Sequence, residues 1–246
     1  MAHRGFSLDG LENTMTAFAA AVSLGMTHVE TDVHATRDGV VVAFHDAVLD
    51  RVSDGHGAIA ELTWDELRSV RVGGSEVVPR LEELLDSWPD LRVNVDVKDW
   101  AAIAGLVDVV QRTAAQHRVC VTSFDDRRTA AVRRLLGPQV ATSPGRRGVA
   151  RWRFASWLPG PGAVRLSRVR DRSAVAFQVP ATAGPLRVVT RRSLDVAHQL
   201  GLQVHVWTVN DASRMHELLD LGVDGLITDR SDTLREVLRE RAAGRA

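Results

Sequence analysis

Several features are scarce in this chain of 246 residues, and each scarcity excludes a class of protein. The single cysteine, Cys120, excludes an internal disulfide framework and is compatible with a reducing compartment. Basic and acidic residues number 31 each, so no net charge draws the chain toward nucleic acid. No apolar run approaches the roughly 18 residues that a transmembrane helix needs. Because candidate functional residues begin at His3, we see no room for a signal peptide and expect a cytoplasmic location.

Lysine is as scarce as cysteine, because 30 of the 31 basic residues are arginine and Lys98 alone is lysine. Lysine is a compact point charge and arginine a broad planar fork, so the two are not interchangeable in a tight site. Survival of one lysine by chance is the simpler interpretation. The position of Lys98 near Asp96, in an alternating segment, favours a specific need for a point charge.

Strand-like and helix-like segments alternate along the chain. Strand character covers residues 2–4, 29–33, 40–44, 92–97, 119–122, 139–141, 175–179, 203–209 and 225–228. Helical patterns cover residues 14–24, 80–87, 100–116, 126–136, 191–200, 212–221 and 231–241. Glycines stand where four of these helices are expected to end, at Gly25, Gly137, Gly201 and Gly222.

This alternation predicts a parallel sheet, and about eight strand–helix units predict an α/β fold of the TIM (β/α)₈ barrel type. We expect a single domain over residues 1–246 with a C-terminal helix within residues 231–246. The strand-like segments are one too many for such a barrel, so we interpret residues 40–44 as a hairpin arm outside it. An open doubly wound sheet is the rival fold, but no G-x-G-x-x-G or Walker-type loop supports it.

Two segments interrupt the alternation. Residues 46–79 include Asp54-Gly55-His56-Gly57 and Gly73-Gly74, and we interpret them as a long functional loop or small insertion over the barrel mouth. Residues 146–172 hold eight arginines, two tryptophans and one acidic residue. This composition is compatible with weak contact to a membrane surface, although a solvated helix and loop is the simpler interpretation.

Three carboxylates predict a cation site. Glu30 and Asp32 are two residues apart in a strand, so both side chains point to one face, where their repulsion calls for a cation. Asp96 can add a third carboxylate, and Lys98 shares its face, where it can hold a phosphate oxygen. All-carboxylate ligation suits Mg²⁺ or Ca²⁺ rather than zinc. Taken alone, the Glu30–Asp32 pair is typical of a solvated surface.

Two histidines are candidates for proton transfer. His3 lies upstream of the carboxylates, and His45 ends an apolar run just before Asp46, as at a strand end that opens into a loop. Imidazole titrates near neutral pH, and phosphodiester cleavage needs one group to accept a proton and one to donate it. The other histidines are interpreted as surface or packing residues, and His205 is the one among them that merits attention.

A series of short motifs runs through nearly the whole chain. Toward the N-terminus the motifs are His3-Arg4-Gly5, Glu12-Asn13-Thr14, Ala17-Phe18, Glu30-Thr31-Asp32-Val33, Thr36-Arg37-Asp38-Gly39, His45-Asp46, Leu49-Asp50-Arg51 and Pro79-Arg80-Leu81-Glu82-Glu83. Toward the C-terminus they are Val206-Trp207-Thr208-Val209-Asn210, Gly222-Val223-Asp224-Gly225 and Thr228-Asp229-Arg230. This ordered series resembles the signature of the glycerophosphodiester phosphodiesterase family.

The resemblance implies a TIM barrel that hydrolyses glycerophosphodiesters to an alcohol and sn-glycerol 3-phosphate. By position, His3 and His45 would be the general acid–base pair. Arg4 and Lys98 would bind the phosphate.

The resemblance also implies a metal site and a substrate pocket. Glu30, Asp32 and Asp96 would hold Ca²⁺ or Mg²⁺. Trp207 would line the pocket, and two further candidates for that role are Gln178 and Phe124.

Three departures or ambiguities accompany the resemblance. Asp96 stands where many relatives have glutamate, which is one methylene longer. The chain starts two residues before His3, so either the start lies upstream of Met1 or the first strand is unusually short. Glu12 would support the site from behind, although capping of the following helix by Asn13 accounts for that motif equally well.

Three functional hypotheses follow. The leading one is a metal-dependent phosphodiesterase that acts on small glycerophosphodiesters. The second keeps the site but takes lysophospholipids, in the manner of a lysophospholipase D, with residues 146–172 engaging the lipid. The third is a catalytically inactive barrel that binds phosphodiesters. Against it stands the retention of six key residues, namely His3, Arg4, Glu30, Asp32, His45 and Lys98. The sequence predicts a small-molecule partner and no nucleic acid, and it makes no prediction of oligomeric state.

Overall fold

The fold is described from a computed structural model, which covers residues 1–167 and 173–244. The strands are β1 (Ala2–His3), β2 (His28–Ala35), β3 (Val41–Ala43), β4 (Arg71–Val72), β5 (Glu76–Val77), β6 (Arg92–Val97), β7 (Val119–Thr122), β8 (Ala141–Thr142), β9 (Ala176–Pro180), β10 (Thr182–Ala183), β11 (Leu186–Arg187), β12 (Gln203–Trp207) and β13 (Gly225–Leu226). The helices are α1 (Met15–Ser23), α2 (Trp64–Leu67), α3 (Leu81–Ser87), α4 (Ala102–Arg112), α5 (Asp126–Leu136), α6 (Arg146–Ala155), α7 (Pro161–Ser167), α8 (Arg191–Gln199), α9 (Ala212–Leu221) and α10 (Ser231–Ala243), with a 3₁₀ helix at Ile59–Glu61.

Parallel strands follow one another around a barrel. Within the described residues, β1, β2, β6, β7 and β8 are hydrogen-bonded in this order, and β9, β12 and β13 form a second parallel sheet. Two parallel bridges join the sheets, Thr142 beside Ala174 and Ala2 beside Thr228. At the second of these bridges, the His3 amide also donates to the Thr228 carbonyl at 2.9 Å. The predicted TIM barrel is confirmed, and the rival doubly wound sheet is wrong.

The extra strand and the insertion lie outside the ring. β3 pairs antiparallel with the end of β2, with Ala35 opposite Val41, so the predicted hairpin arm is confirmed. The following residues are folded into the 3₁₀ helix, α2 and the β4–β5 hairpin. Their apolar side chains bury a small cluster that includes Leu49, Ile59 and Leu67. This segment is therefore a packed insertion with its own hydrophobic cluster rather than an open loop.

Some boundaries differ from the sequence prediction. The strand predicted at residues 139–141 is β8, Ala141–Thr142, and a two-residue strand is too short to set a clear period. The helix predicted at residues 100–116 ends at Arg112, and Ala114 beyond it has a left-handed φ of 48°. α6, α7 and the β10–β11 hairpin were not separated in the sequence. Of the C-terminal helix predicted within residues 231–246, residues 245–246 lie outside the described residues.

The strand β2 carries polar residues into the barrel interior. Strands of a parallel barrel are covered on both faces, so their residues are usually apolar. In β2, however, Glu30, Thr31 and Asp32 are all buried between the apolar Val29 and Val33. Burying such groups is unfavourable unless they are paired or serve a function. This strand therefore locates the candidate site.

Gly5 allows the loop after β1 to lie directly against α1. Its φ is +83°, and an added Cβ would lie 2.7 Å from the carbonyl carbon of Ala17. Gly10 has a similar φ of +75°, but no described atom lies within 4 Å of an added Cβ. A substitution at Gly10 therefore measures the cost of the left-handed backbone alone, without a steric clash.

We expect Gly10→Ala to lower the free energy of unfolding by about 1 kcal/mol. Gly5→Ala should lower it by roughly a further 2 kcal/mol. Equal losses in urea-unfolding curves would contradict the close approach.

Candidate active site

One cavity opens where the barrel strands end at their carboxyl termini, and its volume is about 440 Å³. In a TIM barrel this is the end at which active sites lie. All of the residues predicted for the site line this cavity, namely His3, Arg4, Glu30, Asp32, His45, Asp96, Lys98, Phe124, Gln178 and Trp207. Their placement in one cavity is observed, whereas their individual roles stay predictions.

The register of neighbouring strands sets the spacing of the acidic groups. Asp32 in β2 lies opposite Asp96 in β6, and Glu30 lies opposite Asn94. His3 in β1 lies opposite Glu30 on the other side of β2. Since side chains two residues apart share a face, these groups all project into the same cavity.

The ammonium of Lys98 lies between two carboxylates. Its Nζ is 2.7 Å from Asp32 Oδ1 and 2.7 Å from Asp96 Oδ2, and Arg4 Nε is 3.1 Å from Asp32 Oδ2. Burial raises the pKa of Asp32, but the charges of Lys98 and Arg4 outweigh it and hold the pKa below its ordinary value. Burial lowers the pKa of Lys98, but the two aspartates outweigh it and raise the pKa. Asp32 and Lys98 are therefore held in their ionised forms.

Glu30 and one oxygen of Asp96 lack comparable compensation. Burial, followed by the charges of Asp32 and Asp96, raises the pKa of Glu30 well above its ordinary value. The Glu30 carboxylate accepts one hydrogen bond, at 3.2 Å, from the backbone N–H of Arg4. Asp96 Oδ1 is buried without a hydrogen-bond partner in the described residues, and burial raises the pKa of Asp96. A cation bound here would relieve both costs.

The residues present fit a divalent cation by their chemistry. Glu30, Asp32 and Asp96 offer hard oxygen donors in one cavity, which suits Ca²⁺ or Mg²⁺. Among residues 1–167 and 173–244, no group of three or more His, Cys, Asp or Glu side chains is already arranged as a metal site. The ammonium of Lys98 instead neutralises Asp32 and Asp96 together. The three carboxylates are thus candidate ligands, and their binding of a metal stays a prediction.

Each candidate catalytic histidine is held by a carboxylate. Asp229 Oδ1 accepts from His3 Nδ1 at 2.6 Å, and Asp46 Oδ1 accepts from His45 Nδ1 at the same distance. Both imidazoles are therefore oriented through Nδ1, which leaves Nε2 for proton transfer. His3 Nε2 faces Glu30 at 3.9 Å.

A second row of ion pairs links these groups behind the cavity. Glu12 accepts from Arg4 at 2.9 Å and from Arg51 at 2.6 Å. Arg51 also pairs with Asp46, the residue that orients His45. Glu12 thus connects a cavity-lining arginine to the support of His45, and the expectation that Glu12 supports the site from behind is confirmed in its geometry.

Asn13 does not cap α1, so that interpretation of the sequence is wrong. The N-cap is Thr14, whose side chain accepts from the amide of Ala17. Asn13 is buried with a left-handed φ of 56°, and its amide donates to Asp32 Oδ2 at 3.2 Å. Asn13 Oδ1 accepts from Thr31 at 2.8 Å, so this residue fixes the orientation of Asp32.

The wall of the cavity is aromatic on one side. The rings of Phe124 and Trp207 meet edge to face with centroids 6.0 Å apart, and the guanidinium of Arg146 lies over Phe124. Gln178 exchanges two hydrogen bonds with Asn94, so its amide is already engaged. His205 is absent from the cavity lining, and burial lowers its pKa to about 4.

Sequence reasoning missed several supporting residues. Asp229 lies in the motif Thr228-Asp229-Arg230, but no role was predicted for it. Asn94 lies between apolar residues in the alternating strand at residues 92–97. His34 was interpreted as surface or packing, but it is buried and its Nε2 donates to the carbonyl of His45 at 3.1 Å. The available signal for His34 was its position two residues after Asp32, which places it on the same face of the strand.

The arginine-rich segment forms α6 and α7 beside the cavity. Four of its large apolar side chains are exposed, namely Phe154, Trp157, Leu158 and Leu166. Residues 168–172, the last part of the predicted stretch, lie outside the described residues. Across residues 1–167 and 173–244, no helix combines the length and the apolar character needed to cross a bilayer.

Comparison with known proteins assigns the family. The model of the glycerophosphoryl diester phosphodiesterase family matches residues 3–233. The chain belongs to this family. The probable glycerophosphodiester phosphodiesterase 2 of Mycobacterium tuberculosis is 43% identical over 242 residues, which is 98% of this chain and 90% of that protein.

Solved structures of glycerophosphodiester phosphodiesterases share the fold. One from Agrobacterium tumefaciens superposes with a TM-score of 0.74 at 22% identity and covers 97% of each chain. A phosphodiesterase of Oleispira antarctica, solved with its product sn-glycerol-3-phosphate, gives a TM-score of 0.79 at 22% identity, over 97% of this chain and 95% of that one. The TIM barrel is therefore shared across the family.

The raised pKa of Glu30 predicts that this residue destabilises the metal-free fold at neutral pH. Because the folded state binds the proton of Glu30 more tightly than the unfolded chain does, stability decreases as pH rises from the ordinary glutamate pKa through the raised value. We expect Glu30→Gln to raise the free energy of unfolding by on the order of 1 kcal/mol at about pH 8 in EDTA, and less at about pH 4.

Urea unfolding of the wild type and of Glu30→Gln measures this difference, and Glu61→Gln, at an exposed glutamate, is the matched control. Millimolar Ca²⁺ or Mg²⁺ should stabilise the wild type more than Glu30→Gln, since only the folded state offers the site. A variant that is less stable than the wild type at about pH 8 would contradict the uncompensated burial of Glu30.

Proposed function

We propose that this protein hydrolyses glycerophosphodiesters to an alcohol and sn-glycerol 3-phosphate. The arrangement that carries the proposal is a pair of histidines, His3 and His45, each bonded through Nδ1 to a carboxylate and both lining the cavity that holds Lys98. The Mycobacterium relative, at 43% identity, has this activity in its name, and the Oleispira phosphodiesterase was solved with sn-glycerol-3-phosphate.

The chain's own residues supply proton transfer and charge. With Nδ1 fixed by a carboxylate, each Nε2 exchanges its proton with the substrate, so one histidine accepts the proton of the nucleophile and the other protonates the leaving oxygen. Arg4 and Lys98 line the cavity as fixed positive charges and bind the phosphate. Both are held in place by ion pairs, so they need little reorganisation as charge grows on the phosphoryl oxygens.

The proposal includes a divalent cation, Ca²⁺ or Mg²⁺, with Glu30, Asp32 and Asp96 as its ligands. When bound, such an ion supplies Lewis-acid stabilisation of the phosphoryl oxygens. Support comes from Oδ1 of Asp96, which has no hydrogen-bond partner among the described residues, and from the raised pKa of Glu30. Both observations indicate that the carboxylate cluster lacks compensating positive charge.

The substrate class follows from the cavity. A volume of about 440 Å³ accommodates a small diester, and we propose soluble glycerophosphodiesters rather than lysophospholipids as substrates. Weak membrane contact through residues 146–172 stays a prediction, supported by the exposed Phe154, Trp157 and Leu166 beside several arginines. The cytoplasmic location also stays a prediction.

Release of glycerol 3-phosphate tests the proposed activity. The purified protein is incubated with soluble glycerophosphodiesters and, in a parallel arm, with a detergent-dispersed lysophospholipid. The second arm is read by release of the alcohol, because cleavage of a lysophospholipid yields an acylated glycerol 3-phosphate. We expect release from the soluble diesters, loss of release in EDTA, and recovery when Ca²⁺ or Mg²⁺ is added back. His45→Ala should abolish it, since no other group in the proposed mechanism takes that proton. Turnover of the lysophospholipid alone, or undiminished activity of His45→Ala, would refute the proposal.

Lys98→Arg tests the need for a point charge. The ammonium fits between Asp32 and Asp96 at 2.7 Å from each, and a planar guanidinium cannot occupy that position without moving one carboxylate. We expect activity to fall by about 10²-fold while the variant stays folded by circular dichroism. Arg134→Lys, at an exposed position of α5, is the control and should keep wild-type activity. Near-full activity of Lys98→Arg would contradict the need for a point charge at this position.

A further inference from the structure

Arg146 differs from the other cations of the cavity in its partners. Arg4 and Lys98 are each paired with carboxylates. Arg146 also lines the cavity, but within residues 1–167 and 173–244 its guanidinium contacts the ring of Phe124 and no carboxylate. Arg146 therefore carries a positive charge that forms no ion pair with the described residues.

The backbone around Arg146 is held firmly. Asp126 accepts from the amides of Gly145, Arg147 and Gly148, so its carboxylate satisfies the first turn of α6. An added Cβ at Gly145 would lie 2.8 Å from Asp126, which shows how closely the segments approach. Arg146 thus extends from a fixed point at the edge of the cavity, and its side chain remains exposed to an incoming ligand.

The charge of Arg146 lies in the same cavity as the proposed phosphate position. The Cζ of Arg146 is 4.8 Å from the centroid of Phe124, and the Nζ of Lys98 is 5.8 Å from the same centroid. Because Lys98 marks the proposed phosphate site and both cations contact the ring of Phe124, we expect a charged group on the leaving alcohol to come within reach of Arg146. The nearby wall is mostly apolar, with Pro144 and Val149 in the lining, and apolar walls strengthen a charge interaction.

The aromatic pair of the cavity does not offer a cage for a cationic headgroup. Aromatic rings attract quaternary ammonium groups when their faces are open. Here the ring of Phe124 already has Arg146 and Lys98 within 6 Å of its centroid, and its contact with Trp207 is edge to face. A third cation placed on this ring would be repelled by the two that are present.

We propose that Arg146 binds an anionic group on the leaving alcohol, so that glycerophosphodiesters whose alcohol carries a carboxylate or phosphate are preferred over those whose alcohol carries only a cation. This inference rests on the proposed hydrolase function, since it names the leaving alcohol of that reaction. Arg146 is then a specificity-determining residue of the pocket, separate from the groups that transfer protons.

Glycerophosphoserine and glycerophosphoethanolamine form a matched pair of substrates, because they differ by one carboxylate. At low ionic strength we expect kcat/KM for glycerophosphoserine to be about fivefold higher in the wild type. Arg146→Gln should bring this ratio to about one, and Arg146→Glu should invert it. Arg147→Gln removes the neighbouring exposed arginine, which does not line the cavity, and should keep the wild-type ratio. Added salt should reduce the preference.

Two results would overturn the proposal. One is a wild-type ratio of kcat/KM, glycerophosphoserine over glycerophosphoethanolamine, of one or below. Faster turnover of glycerophosphocholine than of glycerophosphoserine counts as the same result, since it would mean that the aromatic pair binds the cation. The other is a preference for glycerophosphoserine that Arg146→Gln leaves unchanged.

A separate measurement distinguishes failure of this inference from failure of the hydrolase proposal. If no diester yields glycerol 3-phosphate, the hydrolase proposal fails, and the Kd values of the same two compounds are measured by calorimetry on metal-stripped protein. Tighter binding of glycerophosphoserine that is lost in Arg146→Gln would still support an anion subsite, and equal Kd values in the wild type would overturn it.

Discussion

The candidate site depends on the ion pairs that the buried Asp32 makes with Lys98 and Arg4. These contacts place two positive charges beside the proposed phosphate position and keep the carboxylate ionised inside the barrel. Removing one partner of a buried ion pair typically costs about 3–5 kcal/mol, because the remaining charge is left uncompensated. Asn13 adds a hydrogen bond to the same carboxylate from a loop outside the sheet. Much of the machinery is therefore organised around one acidic side chain in β2.

The three carboxylates of the cluster differ in how many positive charges and hydrogen-bond donors surround them. Asp32 has two cationic partners, whereas Glu30 accepts one backbone hydrogen bond and Asp96 Oδ1 accepts none within the described residues. Lys98 and Arg4 supply two positive charges beside three carboxyl groups, so with all three ionised this cluster retains an excess of negative charge. Such an excess lowers the stability of the fold and favours binding of a cation. A loss of stability of this kind is expected where a protein retains residues for function.

The sequence predicts the parts of the site that follow from strand periodicity. Glu30, Asp32, Asp96 and Lys98 could be placed on one face because alternate residues of a strand share a face and the ends of parallel strands meet. Contacts made through barrel closure could not be predicted from local sequence patterns, since the partner of His3 lies 226 residues away. Asn13 was misread because its left-handed backbone turns its side chain toward Asp32, and no local pattern indicates that turn.

Contacts at His3 both close the barrel and orient a candidate catalytic imidazole. Its amide donates to the carbonyl of Thr228, which forms the seam between the first and last strands, and its imidazole donates to the adjacent Asp229. A shift of either strand would therefore move the imidazole and break its carboxylate contact together. β1 has only two residues, so these contacts, rather than a long ladder, fix its position. The C-terminal motif that contains Asp229 thus holds a candidate catalytic residue from the opposite end of the chain.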